Sequence, residues 1–421
     1  MGKALRATAS IVVSLAGVLL AASGAWAAGA APVLYASPSG GSGVCSVRVP
    51  CSLENAISAA APGDVVYAFA GVYNGGFVVD KAITLHGAGA VIDASSSPFG
   101  NGVQIVGPGG SGSSVEGFRI EDAKFEGILV GTAPVAPETE NGEPVTSGEP
   151  VSDVRIANNT LTHNGTGFGT NAGQCYSTPE APGDCGETIH LVAVTNSTVE
   201  GNYVEDNVGG ILLTDEFGPT SGNVVRLNRT IGNDDDCGIT LAGHSSAAVN
   251  PETGMPTGAA GVFDNVVESN TSDENGVAGQ GAGILLGGGA PFAGVYDNLI
   301  RNNYAYGNGL SGVTVHQHLI GDLNDNTIEG NVLLNNNLDG DFDFAAAAAT
   351  ETTGILVASG EPPGPPLPPE LLPGPISGTV IRGNFLYSSK VGIWTLGVET
   401  ASTQIAHNVF GQGVKTPISE H

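Results

Sequence analysis

The chain has 421 residues, with 13 Lys and Arg against 41 Asp and Glu, a formal charge of −28. Charge of that sign excludes nucleic acid and anionic membranes as partners, and a polyanionic glycan would need bridging cations. Sixty-five glycines and few basic residues argue against long helices.

Residues 1–27 read as a secretory signal. Lys3 and Arg6 are the positive end, IVVSLAGVLLAA the short apolar core, and Ala25-Trp26-Ala27 a small-x-small cleavage site. No later stretch is long and apolar enough to be a membrane span. Secretion permits disulfides. Cys45 and Cys51 are spaced to staple an N-terminal loop, and Cys175 and Cys185 to close YSTPEAPGD. Cys237 is left over beside a β-run, the setting of a small buried hydrophobe. SLENAISAA, residues 52–60, reads as a short amphipathic helix with Leu53, Ala56, Ile57 and Ala60 on one face. It belongs to an N-terminal cap, about residues 45–65, that shields an end coil from pairing with other chains.

From about residue 115 to 410 one phrase recurs. Its copies start at Asn159, Asn202, Asn228, Asn270, Asn303, Asn331, Asn384 and Asn408, the closest 24 to 28 residues apart. In the first six a second Asn follows five positions later, at Asn164, Asn207, Asn233, Asn275, Asn308 and Asn336. An earlier copy puts Phe118 and Ala123 at the two Asn positions. Such a period marks a solenoid. Apolar runs of three to five residues, rich in Val, Ile, Leu and Thr and punctuated by Asn and Gly, are strand–turn units, not paired helices. Stacked coils put like residues about 4.8 Å apart, so buried Asn form ladders that satisfy backbone groups.

The Asn–Gly coils and the opening segment resemble the pectin-lyase-like superfamily of secreted β-helix proteins, over roughly residues 33–415. The resemblance implies an all-β chain, a single-stranded right-handed parallel β-helix over 28–421, with loop insertions along one edge. It also implies, without selecting among them, polysaccharide lyases, glycoside hydrolases, epimerases and non-catalytic proteins. Insertions rich in Pro, Gly, Ser and acids fall at 132–152, 170–187, 245–260 and 345–377, the last including EPPGPPLPPELLPGP at 361–375. Each is expected after the β-run that follows the second Asn, walling a groove over the middle coils.

The runs feeding that edge are GILLTDE, GITLAGH, GILLGGG and GVTVHQH. Two-residue alternation turns their second, fourth and sixth residues outward. The sixth position reads Glu216, His244, Gly289, His318; the fourth reads Thr214, Ala242, Gly287, His316. Glu216 and His244 should touch, with Asp215 next door and the glycines leaving a notch before His318. His beside a carboxylate serves as general acid or base; His316 and His318 with His244 and Glu216 would instead ligate a metal; wall residues are the third reading. Asp234-Asp235-Asp236-Cys237 with Gly243-His244 resembles the Asp-Asp-Cys element of polygalacturonase-type hydrolases, which implies Asp235 and Asp236 as acid and base and His244 as support. This Gly-His comes only six residues later, in the same coil, and neither the Asn-Thr-Asp nor the Arg-Ile-Lys element is present. Asp339, Asp341 and Asp343 alternate around Gly340 in a pattern suited to Ca²⁺ or another divalent metal.

The functional expectation is a carbohydrate-active protein that cleaves or modifies a polysaccharide or cell-wall glycan. Glu216, His244 and His318 lead the candidate catalytic residues, followed by Asp215, Asp236 and His316. Hydrolysis is favoured over a lyase or epimerase reaction because no Lys or Arg base stands near. Trp394 and Tyr306 are the available stacking rings. The alternative is a non-catalytic binding or structural β-helix protein.

Overall fold

Each coil is laid down as short parallel strands separated by turns, and each strand pairs with its counterpart one coil away. The computed structural model describes residues 31–131, 150–167, 187–277, 281–338, 353–361 and 365–421. Residues 1–27, the pair Cys175–Cys185 and the run Asp339, Asp341 and Asp343 lie outside them. Among the described residues the strands form four parallel sheets. Sheet 1 has twelve strands, from Val33–Gly41 to Gln404–Ala406. Sheet 2 has eleven, from Gly71–Asn74 to Val409–Phe410, and sheet 3 has eleven, from Phe77–Val79 to Thr416–Glu420. Sheet 4 has six two- to four-residue strands, from Val151–Ser152 to Gly321–Asp322. In the middle coils the chain visits sheets 1, 2, 3 and 4 in turn and returns to sheet 1.

Alternation decides what the core contains. Ile211 and Leu213 pair with Ile239 and Leu241, these with Ile284 and Leu286, and these with Val313 and Val315. All sit in one continuous core with Val199, Val225, Val267 and Ile300 of sheet 1. Each such side chain contributes about 1.5–3 kcal/mol by leaving water.

Three stacks of amides run through the turns. Asn202 donates its backbone N–H and its Nδ2 to Asn228 Oδ1, both at 3.0 Å, and Nδ2 also reaches the Ile156 carbonyl at 3.0 Å. The pattern continues from Asn159 to Asn408, and Phe118 N–H feeds its start at Asn159 Oδ1. A parallel stack from Asn164 to Asn336 is entered by Ala123 N–H, as the repeat alignment requires. A third stack, Ser197, Asn223, Asn265, Asn298 and Asn326, lies between sheets 4 and 1 and was not anticipated. Each amide of the first stack follows a residue in the left-handed region, such as Asn158, Leu227, Ser269 and Asn302, or Gly201 and Gly330.

The short helix and the first disulfide expected near the N-terminus are present. Leu53–Ala59 is a helix capped by Ser52, whose Oγ accepts from Asn55 N–H, with Leu53, Ala56 and Ile57 buried. Cys45 and Cys51 are bonded, and Cys237 is a buried free thiol. Among the described residues no helix is long and apolar enough to cross a membrane.

The insertions need correction. Residues 132–149, 245–260 and 360–375 follow the sheet 3 strands Ile128–Gly131, Ile239–Gly243 and Thr353–Ser359, but the expected bounds 132–152 and 345–377 are too wide, because Val151–Ser152 is a strand of sheet 4 and Thr353–Ser359 a strand of sheet 3. The insertion within 170–187 instead leads into the start of Glu187–Val192, so it joins sheet 3 from the opposite edge. Residues 165–167, read from sequence as part of a β-run, form a turn, because the second Asn closes the coil before sheet 3 begins.

Candidate functional site

The outward columns of sheet 3 fall in the expected register. Thr214 pairs with Ala242, Ala242 with Gly287, and Gly287 with His316. The next positions, Glu216 and His244, lie past the strand ends, in the turns, yet their side chains meet. His244 Nδ1 and Glu216 Oε1 are 2.6 Å apart, and the two side chains are only 4% and 5% exposed.

Asp215 explains how a turn holds that geometry. It points inward, fully buried, and accepts from the backbone N–H groups of His244 at 2.7 Å, Ser245 at 3.0 Å and Gly261 at 2.7 Å. It therefore pins both ends of the 245–260 insertion and fixes the backbone that carries His244. Burial and the neighbouring Glu216 carboxylate push Asp215 up to about 7, against the pull of those donors. With its oxygens facing backbone, Asp215 is a positioning residue.

Glu216 sits on the other side of the balance. Burial pushes its pKa up, but the charge and hydrogen bond of His244, with His190 and Thr214, outweigh that and hold it below the usual carboxylate range. His190 and Thr214 extend the pair into a file. His190 Nε2 lies 2.9 Å from Thr214 Oγ1, and His190 Nδ1 lies 3.5 Å from Glu126 Oε1, with both side chains buried. Glu126, His190, Thr214, Glu216 and His244 thus form a continuous buried polar row along the sheet. Sequence reasoning missed Glu126 and His190. The outward position of His190 in ETIHLV, opposite Leu212, was the available signal.

With Nδ1 engaged by Glu216, Cδ2 and Nε2 turn toward Gly289, where an added Cβ would stand 3.0 Å and 3.5 Å from them. Gly289 is half-buried, and the glycine lets its coil pack directly against the His244 ring. Beyond it His316 lies over Gly287, and its ring centre is 5.2 Å from that of His318. His318 Nδ1 is 3.1 Å from the Gly360 carbonyl at the root of the 361–375 insertion. That insertion folds back here: Gly374 accepts from Gln317, and Leu371 accepts from Ile320 N–H. His316 sits two strands from the Ala242 position, about 9.6 Å at the backbone. His316 and His318 therefore share the row with Glu216 and His244 but do not join their hydrogen bond.

Other expectations separate. Asp236 lies at the start of the strand whose far end carries His244. It accepts from Cys237 N–H at 2.6 Å and bonds the Glu187 side chain, and burial raises it. Asp235 is exposed. The polygalacturonase-type grouping of Asp235 and Asp236 with His244 is thus undone by the length of one strand. Trp394 is fully buried against Leu356, Ala358 and Leu396, and Tyr306 lies on sheet 2, so neither ring serves this site. Among the described residues no three His, Cys, Asp or Glu side chains converge to hold a metal ion.

Parallel stacked sheets and unbroken Asn ladders define the class: this is a right-handed parallel β-helix fold. Residues 139–343 match the family described as NosD, periplasmic copper-binding protein. No curated protein sequence matches the chain. Among solved structures it is similar to the A-module of the mannuronan C-5 epimerase AlgE4 of Azotobacter vinelandii, at 17% identity and TM-score 0.52, covering 88% of this chain and 93% of that one. It is similar to the catalytic domain of a GH87 α-1,3-glucanase in complex with tetrasaccharides, at 15% identity and TM-score 0.56, covering 91% of this chain and 58% of that one. Pectate lyase Pel9A gives 18% identity and TM-score 0.50, covering 92% and 82%. At these identities the likeness establishes the fold. Among the described residues, Met255 is exposed on a loop, Cys237 is buried with its sulfur accepting from Ala282 N–H, and His316 and His318 stand side by side without a third His, Cys, Asp or Glu ligand.

Proposed function

We propose that this is an extracytoplasmic carbohydrate-active protein in which His244, oriented by Glu216, transfers a proton to or from a glycan lying over Gly289. The observation that carries the reading is the 2.6 Å Glu216–His244 pair, two side chains held almost wholly out of water beside Gly289. A buried carboxylate held ionised fixes the tautomer and steadies the charged imidazole, as general acid–base work requires. The similar epimerase, glucanase and lyase folds support the glycan class. The periplasmic family, the signal-like N-terminus and the Cys45–Cys51 disulfide support the location.

The charge of −28 favours a neutral glycan over a uronate polymer. A neutral sugar has no acidic proton for elimination or epimerisation, so glycosidic hydrolysis is the favoured step. The arginines of sheet 1 are committed elsewhere, Arg155, Arg226, Arg301 and Arg382 each pairing with a Glu on that sheet. His316 and His318 would line the far side of the sugar.

The test is incubation of the mature protein with neutral and anionic polysaccharides, measuring new reducing ends and the absorbance of unsaturated products. Reducing ends without absorbance support hydrolysis, and both together indicate a lyase. Neither, with every glycan, would reject the enzymatic reading in favour of a binding protein. The near-complete burial of Glu216 and His244 is the observation that keeps this second reading in play.

A further inference from the structure

The outward face of sheet 2 changes character along the molecule. In its middle coils it is polar, with Tyr203 bonded to Glu205 and Arg229 lying 5.5 Å over the Tyr203 ring. Over the last four strands it becomes aromatic and aliphatic. Tyr304, Val332, Phe385 and Val409 stack in one column, and Tyr306 and Tyr387 stand two residues along, separated by Leu334. Tyr304 and Tyr306 are each 39% exposed and Phe385 is 48% exposed. These are large apolar groups repeated on one flat surface, which single exposed hydrophobes are not. Neighbouring strands are spaced about 4.8 Å, so Tyr304 and Phe385 stand about 9.6 Å apart, comparable to a disaccharide along an extended chain.

We propose that this face is a platform on which a neutral polysaccharide chain docks, separate from the Glu216–His244 site on sheet 3. Aromatic rings recognise the apolar C–H faces of sugars, and Tyr adds a hydroxyl for their rims. The Tyr387 ring lies down over Gly411, where any side chain would collide with it, so the ring is folded onto the sheet. Charge selects the occupant. Asp273 pairs in register with Tyr306, and Glu274 follows it, giving the edge of the platform negative charge. A uronate polymer or nucleic acid is repelled there. A second copy of this chain would bring Asp273 and a net charge of −28 against their equals. A hydroxyl-rich neutral chain carries no such penalty, and its hydroxyls donate to the carboxylates.

The experiment is affinity electrophoresis of the full chain carrying Glu216→Gln, in gels containing laminarin, hydroxyethylcellulose or alginate. Retardation by a neutral glucan and not by alginate is expected. Tyr304→Ala with Phe385→Ala should weaken it at least tenfold at unchanged melting temperature, and Tyr304→Phe should retain most of it. Quenching of tyrosine fluorescence by the same glucan in the unsubstituted platform reads the contact without depending on how the variants fold. Equal retardation of the double variant, absence of retardation by both neutral glucans, or a shift from dimer to monomer on size exclusion would overturn the proposal. Binding is read with Glu216 silenced, so a failed platform leaves the reducing-end assay untouched, and a failed assay leaves the platform untouched.

Discussion

The turn between sheets 1 and 2 and the edge beyond sheet 3 are made by the same coils under opposite constraints. At the first, every coil from Asn159 to Asn408 crosses in two residues, a left-handed one and an Asn, and the amide stack runs without a gap. At the second, coils end differently: Thr214 runs on to Asp215 and Glu216, Gly243 to His244 and a long insertion, Gly288 to Gly289. A repeated turn solves one problem, pairing buried backbone groups, and leaves its Asn no freedom to vary. The irregular edge satisfies its backbone with a single residue, Asp215, and so can spend Glu216, Gly289 and His244 on chemistry.

Breaking the irregular side should cost function and little else. His244→Asn and Glu216→Gln are expected to lower glycan turnover about 10²–10⁴-fold, the usual worth of a positioned acid or base, with the far-UV spectrum unchanged. Gly289→Val would set a Cβ 3.0 Å from the Cδ2 of His244 and should lower turnover comparably by displacing the ring. A variant with full turnover would show that the reacting group lies elsewhere.

Breaking the regular side should cost stability. Asn270→Ala leaves Asn228 N–H and Nδ2 without their acceptor and the Val225 carbonyl without its donor. A loss of about 1–3 kcal/mol per buried group left unpaired is expected, read as the denaturant midpoint, with turnover per folded molecule retained.

The hinge between the two is Asp215. The folded chain holds its proton up to about pH 7, whereas the unfolded chain releases it near the ordinary value of 3.8. Folding therefore takes up a proton between those limits, and this group's contribution is full below about pH 4 and lost as pH rises through 7. Asp215→Asn should flatten that part of the melting temperature against pH while lowering stability overall, since Gly261 N–H loses its acceptor. An unchanged slope would mean that the three backbone donors keep Asp215 ionised throughout. The smallest effect is expected at Leu227, an exposed residue in the left-handed region where most other coils use Gly or Asn. Leu227→Asn should raise stability slightly, by relieving a strain of about 1–2 kcal/mol in part.

Much of this was readable in advance, for reasons that particular residues show. The spacing of Asn159 and Asn164 and their successors fixed the coil length, and Phe118 and Ala123 were placed correctly at the head of both stacks. The third stack is written as plainly in SGNVV, FDNVV and YDNLI, at the same 42-, 33- and 28-residue steps as the first. Glu216 and His244 were paired by alternation alone, although both lie past the strands where alternation has force. The edge joined by the 170–187 insertion, the burial of Trp394 and the distance of Asp236 from His244 were misjudged. Each depends on where a strand starts and what overlies it, which local pattern does not encode.

What the amino-acid order determined by itself was the solenoid, since a two-residue alternation and a recurring Asn act between neighbours one coil apart. What only the folded molecule decided was the file from Glu126 through His190 and Thr214 to His244, and the inward turn of Asp215. Those contacts join residues from separate coils, through side-chain directions set in irregular turns. Their geometry follows from packing and burial in three dimensions, and no periodicity along the chain prescribes it.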